Sequence, residues 1–333
     1  MIHSKIEKIA VYLPEKIETN EDLAKDFPDW SYKKVEKIVG VRQRHLADEN
    51  ETSLDLAHKA CLNLFEKTDK NNIDFLLFCS QNPDYLLPAS SCILQDKLGL
   101  RTQIGTLDFS YGCTGFIYGL VVAKGLIAAG IAKNIVLVTT DVITKKINKA
   151  DRANRLIFGD GAAATLITQS SYDYISDFTL GTDGSGFQNL IIPNGGLKNP
   201  YNPEEIDRID EDGVVRNDNY LYMNGVEVFN FTIKAVPILI DEVLKKNNFT
   251  MDDIDYVIFH QANQYMLEYL KSIINIPADK FYINMMDVGN TSSATIPIGI
   301  VDAMDRGLVK SGDKVLLAGF GVGYSYGATI ITI

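Results

Sequence analysis

The feature that most restricts how this 333-residue chain can fold is a diverged copy of its own first half. Ile73-Asp-Phe-Leu-Leu-Phe-Cys-Ser-Gln-Asn82 recurs as Ile254-Asp-Tyr-Val-Ile-Phe-His-Gln-Ala-Asn263, with Ile, Asp, Phe and Asn in register. Further on, Gly112-Cys113-Thr114 falls opposite Gly289-Asn290-Thr291. Each is followed by an apolar helical run and then a short strand, Ile135 to Thr139 in one copy and Val315 to Ala318 in the other. A duplicated domain folding about a pseudo-twofold axis brings Cys113 and Asn290 together with His260 beside them, a trio suited to catalysis. The two halves are read as 1–175, carrying the cysteine, and 176–333, carrying the histidine and asparagine; roughly 170 residues each is an ordinary domain size.

Short apolar strands alternate with helical stretches: Ile6 to Leu13, a helix from Ser53 to Glu66, a strand Phe75 to Ser80, a helix Pro88 to Leu98, a strand Thr106 to Phe109, a helix after Cys113 and a strand Ile135 to Thr140. This order predicts an α/β fold with mostly parallel, buried sheets. Residues 194–219, rich in Gly, Pro, Asn, Asp and Glu, read as an exposed insertion and as the least ordered segment.

Composition removes several classes of function. A formal charge of −11 disfavours nucleic acid and leaves any anionic ligand to a local basic patch. The four cysteines lack CxxC or His-rich spacing, which argues against a zinc site and against a disulfide framework. No run of about 18 uncharged apolar residues suggests a membrane span, and the N-terminus lacks a signal-peptide core. A soluble, cytoplasmic protein is expected.

Cys113 ends a strand and opens a helix, where free backbone N–H groups and the helix dipole are expected to lower the thiol pKa and make a nucleophile. The alternative is a small buried hydrophobe, the usual state of a free cysteine; Gly112 and Gly115 favour function because they admit a substrate close to the backbone. His260 at a strand end is either structural or the partner of the cysteine. Asn290 is either a cap, since Asn, Ser and Thr are preferred there, or the counterpart of Cys113. The glycines of Gly319-Phe-Gly-Val-Gly-Tyr-Ser-Tyr-Gly327 precede a β-branched strand rather than a helix, so a nucleotide loop is excluded. They are read as aiming a backbone N–H at a developing oxyanion, a donor typically worth about 2.7 to 4 kcal/mol. Phe158-Gly-Asp-Gly161 either borders a ligand or, the favoured reading, makes a tight packing turn. No nucleophile elbow, which needs GxSxG at a strand-to-helix turn, and no P-loop occurs.

Cys113 in Gly-Cys-Thr-Gly-Phe, His260-Gln-Ala-Asn263, Gly289-Asn-Thr-Ser-Ser293, Phe158-Gly-Asp-Gly161 and the terminal glycine-rich turn together resemble the β-ketoacyl-acyl carrier protein synthase III family of the thiolase-like fold. Tyr12-Leu-Pro-Glu15, Gly40-Val-Arg-Gln-Arg-His45 and Asp151-Arg152 look like further landmarks. The resemblance implies a duplicated αβαβα layered fold with pseudo-twofold-related halves. It implies that Cys113 takes an acyl group from acyl-CoA, its oxyanion held by the N–H groups of Cys113 and Val322. A malonyl thioester, on acyl carrier protein or a similar carrier, then decarboxylates and condenses, with His260 and Asn290 as hydrogen-bond donors. It implies no metal and no redox cofactor, and a homodimer. Trp30, Arg152 and Asn263 match substrate-binding positions, and Leu87 matches the residue that closes the partner's acyl pocket; it replaces a bulkier aromatic, which suggests a primer longer than acetyl.

Three departures concern charge: Ile38, Tyr265 and Asn230 stand where the family places basic residues for the nucleotide or the acidic carrier. They keep open an acyltransferase that moves the acyl group to an O, N or S nucleophile without malonate decarboxylation. A noncatalytic acyl-CoA-binding protein is a further alternative. A hydroxymethylglutaryl-CoA synthase is disfavoured, because Ser80-Gln-Asn-Pro-Asp84 offers no glutamate as base.

Overall fold

Strands apolar on both faces need cover on both sides, and the chain supplies it in five layers. The computed structural model describes residues 2–28, 31–210 and 214–333, without the side chains of 34 and 35. One sheet runs His3–Tyr12, Gly161–Ser170, Asn134–Asp141, Phe75–Cys79, Gly105–Phe109. The other runs Thr179–Thr182, Ser325–Thr332, Lys314–Gly321, Tyr256–Phe259. The two orders correspond strand for strand, and Phe281, bridged in parallel to Val257, stands where the first sheet has its fifth strand.

Alternation along each strand sorts its side chains between layers. Leu77 and Leu137 of the first sheet and Ile258 and Leu317 of the second face inward onto two central helices, Gly115–Ala128 and Thr295–Asp305, through Phe116, Leu120, Ile296 and Ile300. Leu76, Phe78, Val136 and Val138 face the other way, onto the helices Ser53–Phe65 and Ser90–Lys97. Val257, Phe259, Leu316 and Ala318 likewise meet Gly225–Lys246 and Gln264–Ile274. Several of these helices begin where a polar side chain closes the first turn: Thr52 with Asp55 as a reciprocal capping box, Asn224 onto Glu227 N, Asn263 onto Met266 N.

The expectation of mostly parallel sheets is corrected. Phe75–Cys79 is parallel to both neighbours, and Tyr256–Phe259 to Lys314–Gly321. The remaining pairs within the two large sheets are antiparallel. The terminal pair is joined only by Val322-Gly323-Tyr324, too short for the crossover that a parallel connection requires. Residues 194–219 also differ from the loose insertion expected. The described residues among them are largely exposed, yet Asn194 donates to Asn219 Oδ1 at 3.1 Å, Asn219 to Asn202 O at 2.7 Å, and Arg208 pairs with Asp218 at 2.6 Å. Asn and Asp side chains bond to nearby backbone and so tie down a segment with little regular structure.

Candidate active site

Cys113 lies between the strand Gly105–Phe109 and the central helix Gly115–Ala128, half-buried. Thr114, at the helix N-cap, shares a hydrogen bond with Ser325 of the terminal hairpin at 2.8 Å. That hairpin crosses so close that a Cβ on Gly321, where φ is +152°, would stand 2.6 Å from Cys113 Sγ, and one on Gly319 2.8 Å from Cys113 O. Only glycine fits such an approach. The backbone N–H groups of Val322 and of Cys113 itself favour the thiolate. The expected lowering of the thiol pKa is nevertheless corrected: burial dominates, the Asp141 carboxylate adds to it, and the thiol is pushed up to about 11.

His260 follows the strand Tyr256–Phe259, and its N–H donates to Ala318 O at 2.8 Å. Its ring is buried edge-on to Phe320, with Nδ1 2.7 Å from Thr295 Oγ1. Burial pushes its pKa down to about 3, so the imidazole is neutral. Asn290 is held by backbone: its N–H donates to Ile157 O at 2.8 Å and its carbonyl accepts from Gly159 N at 3.0 Å. Phe158-Gly-Asp-Gly161 is thus the packing turn that seats Asn290, and buried Asp160 anchors it by accepting from Ala47 N and from Thr144 N and Oγ1. The cap reading of Asn290 is half correct. Its Oδ1 accepts from Ser292 N at 2.9 Å, while Nδ2 makes only a 3.5 Å contact to Ala262 O.

A chain of contacts ties the three residues into one region. His260 meets Thr295, whose hydroxyl reaches Ser292 O at 3.1 Å; Ser292 follows Asn290; and Ser292 Oγ donates to Gln81 Oε1 at 3.2 Å beside Gly112 and Cys113. Behind them Asp141, fully buried at the end of its strand, accepts from Gln81 N at 2.8 Å and Ser293 Oγ at 2.8 Å. Sequence reasoning missed Asp141, Gln81, Ser292 and Thr295. The one available signal was a carboxylate closing the apolar run Ile135 to Asp141.

A cavity of about 260 Å³ opens at Cys113 and Val322. Ile143, Phe158, Leu190, Ile192 and Leu221 supply apolar wall, and Gln81, Asn82, Ser110 and Ser292 the polar lining. His260 and Asn290 are not among its lining residues. A larger open groove of about 1120 Å³ beyond Phe158 contains none of the trio. Among the described residues no group of three or more His, Cys, Asp or Glu side chains is arranged to hold a metal.

Other anticipated residues are dispersed. Trp30 lies outside the described residues. Arg152 is exposed at the start of the helix Arg152–Ile157. Leu87 is 81 % exposed beside Tyr85 and Leu86. Asn263 spends its side-chain oxygen on Met266 N. Ile38 and Tyr265 are exposed, and Tyr265 packs on Phe229 with ring centroids 5.6 Å apart, so an aromatic surface stands where cations were sought.

The profile described as 3-Oxoacyl-[acyl-carrier-protein (ACP)] synthase III matches residues 107–184, and that of its C-terminal region residues 244–333. Beta-ketoacyl-[acyl-carrier-protein] synthase III of Campylobacter fetus is 36% identical over 99% of this chain and 98% of its own. The protein of that name from Fusobacterium nucleatum is 34% identical over 98% of this chain and 97% of its own. A crystal structure of a 3-oxoacyl-(acyl-carrier-protein) synthase III superposes with TM-score 0.97 at 38% identity, covering 99% of this chain and all of that one. With the duplicated layers and the seating of Cys113, these similarities establish that the chain belongs to the 3-oxoacyl-[acyl-carrier-protein] synthase III family.

Proposed function

We propose that the chain condenses an acyl-CoA primer with a malonyl thioester carried by acyl carrier protein, or by a similar carrier, through an acyl-Cys113 intermediate, as a 3-oxoacyl synthase of fatty acid or related acyl-chain synthesis. The observation that carries this reading is Cys113 at the mouth of a largely apolar cavity, with Gly321 of the terminal hairpin packed on its sulfur and Val322 beside it. In the first half-reaction Sγ attacks the thioester carbonyl, Cys113 and Val322 N–H hold the oxyanion, and coenzyme A leaves as a thiolate that takes the Cys113 proton. The high thiol pKa means that no standing thiolate is stored; the proton moves as the new bond forms.

In the second half-reaction the malonyl carboxylate leaves as CO2 and its electron pair forms an enolate. His260 and Asn290 donate to the enolate oxygen. The carbon attacks the acyl group, the N–H groups of Cys113 and Val322 take the oxyanion, and Cys113 is expelled as a thiolate that takes a proton from solvent. His260 must donate from Nε2, which requires its Nδ1 to accept. Thr295 has one hydroxyl proton and two acceptors within reach, Nδ1 at 2.7 Å and Ser292 O at 3.1 Å, and the Nε2–H tautomer is the one in which that proton goes to Nδ1. Asn290 has its amide N–H donors nearly unengaged.

The reaction needs no metal or redox cofactor. A homodimer is supported by the exposed apolar run Tyr85-Leu86-Leu87, and a cytoplasmic setting is in keeping with there being no helix among the described residues long and apolar enough to cross a membrane. Trp30 and Arg152 are assigned to coenzyme A. The exposed Ile38 and Tyr265 support a second reading, acyl transfer without malonate. Incubation with acyl-CoA and malonyl-acyl carrier protein separates the two: condensation releases CO2 and a 3-oxoacyl product, whereas an acyl-Cys113 adduct with no CO2 selects the transferase.

A further inference from the structure

The hairpin turn Val322-Gly323-Tyr324 carries one of the two N–H groups assigned above to the oxyanion, and its own backbone does little to hold it in place. Val322 stands between Gly321 at φ +152° and Gly323 at φ +132°. Glycine reaches such angles freely and holds none of them firmly. A donor between two glycines therefore keeps its aim only where other groups fix it. The far side of the turn is fixed by Tyr324 N donating to Asp183 O at 2.9 Å and Asp183 N to Tyr324 O at 3.0 Å, and by the Tyr324 ring stacked on Phe231 with centroids 4.1 Å apart. The near side, at Val322 itself, is fixed by two hydroxyls.

Ser325 Oγ donates to Val322 O at 2.8 Å, and Thr114 Oγ1 lies 2.8 Å from Ser325 Oγ. A carbonyl only accepts, so the single hydroxyl proton of Ser325 is engaged by Val322, and the proton between the two hydroxyls comes from Thr114. The relay thus has one direction, Thr114 to Ser325 to Val322. Both side chains are buried, so an orphaned partner would bear its full desolvation. Thr114 occupies the N-cap of the helix Gly115–Ala128, where a threonine oxygen ordinarily accepts from its own first turn. Among the described residues it makes no such bond, and it meets Ser325, 211 positions away, instead. Thr114 also directly follows Cys113, whose N–H is the other assigned donor, and a Cβ on Gly319 of the hairpin would stand 2.9 Å from Thr114 Cα. The two hydroxyls join the segments that carry the two donors.

We infer that Thr114 and Ser325 are positioning residues of the oxyanion hole, acting through the carbonyl of Val322 to keep the Val322 N–H at a fixed spacing from that of Cys113. This deepens the functional reading above and rests on it. Acylation of Cys113 passes through an oxyanion at this place, so its rate depends on the relay, whereas a reaction of the same sulfur that forms no oxyanion does not.

The test compares two rates at the Cys113 peptide, both followed by mass: acylation by acetyl-CoA or butyryl-CoA, whichever the unaltered protein takes faster, and alkylation by iodoacetamide, a displacement at carbon with no oxyanion. Thr114→Val, of the same shape without the hydroxyl, should lower the maximal acylation rate about tenfold, because the donor is loosened rather than lost. The half-saturating acyl-CoA concentration and the alkylation rate should stay as they are. Thr114→Ser should restore acylation. Ser325→Ala should lower it at least as far as Thr114→Val, and the double variant no further than Ser325→Ala alone, since Thr114 acts through Ser325. These are rate constants of the folded population, independent of how much of a variant folds. Full-rate acylation in Thr114→Val, a loss that Thr114→Ser does not restore, or a fall in alkylation matching the fall in acylation would overturn the inference while leaving acyl-Cys113 chemistry intact. An absence of any acyl adduct in the unaltered protein, with alkylation still proceeding, would remove the functional reading and the inference with it.

Discussion

Ser293 Oγ donates to Asp141 Oδ2 at 2.8 Å, a bond between the two halves of the molecule that spans 152 residues of chain. With Gln81 N on the other oxygen of the same carboxylate, it holds one wall of the acyl cavity against the loop that carries Asn290. Asp141→Asn keeps the shape but turns one acceptor into a donor facing donors. It should lower stability by about 1–3 kcal/mol, read as a lower midpoint of denaturant unfolding.

The same carboxyl gives a pH test. Burial raises Asp141 to about 6 from 3.8, against the hydrogen bonds from Gln81 and Ser293. Its folded pKa exceeds its unfolded one, so between those values the folded state binds more protons, and this group's contribution to stability is largest below about pH 4 and is lost as pH rises through 6. Lowering pH from 7 to 4.5 should shift the stability difference between wild type and Asp141→Asn in favour of wild type, by at most about 3 kcal/mol. A gap that narrowed as it became more acidic in the opposite sense would contradict the assignment.

His260, neutral down to about pH 3, cannot be the source of an acid limb in the rate profile. His260→Ala should spare acyl-Cys113 formation yet slow malonyl decarboxylation by about 10²–10³. Both are measurable on one sample, by mass and by CO2 release. Undiminished decarboxylation would mean that the donor role is wrong.

Thr295 acts on the imidazole through Nδ1, and its hydroxyl also reaches Ser292 O. Thr295→Val removes the hydroxyl and leaves Nδ1 without its partner, so the fraction of imidazole with a proton on Nε2 falls. Decarboxylation should drop on the order of tenfold with acylation unchanged, and Thr295→Ser should restore it. Equal losses in both half-reactions would point to a purely structural role.

Gly321→Ala places a methyl 2.6 Å from the sulfur, on a backbone at φ +152°. Acylation should fall more than about a hundredfold, since the strain and the lost oxyanion geometry act together. In the unaltered protein, alkylation of Cys113 by iodoacetamide should keep accelerating beyond pH 10, as a thiol titrating at about 11 requires.

What the chain alone determined was whatever repeats along it. The register between its two copies marked equivalent positions, and the structure gives them equivalent tasks: Asp74 accepts from Asn134 N at 3.0 Å and Asp255 from Lys314 N at 2.8 Å, each joining matching strands. Strands, helices and the backbone setting of Cys113 were equally legible, because local periodicity and capping encode them. Tertiary structure alone decided the rest. Strand direction depended on a three-residue turn. The thiol pKa depended on burial outweighing the helix start, a competition whose stronger side comes from residues far away in sequence. Asp141 and Gln81 became visible only when the halves met, since hydrogen bonds between segments 152 and 211 residues apart leave no periodic trace in either.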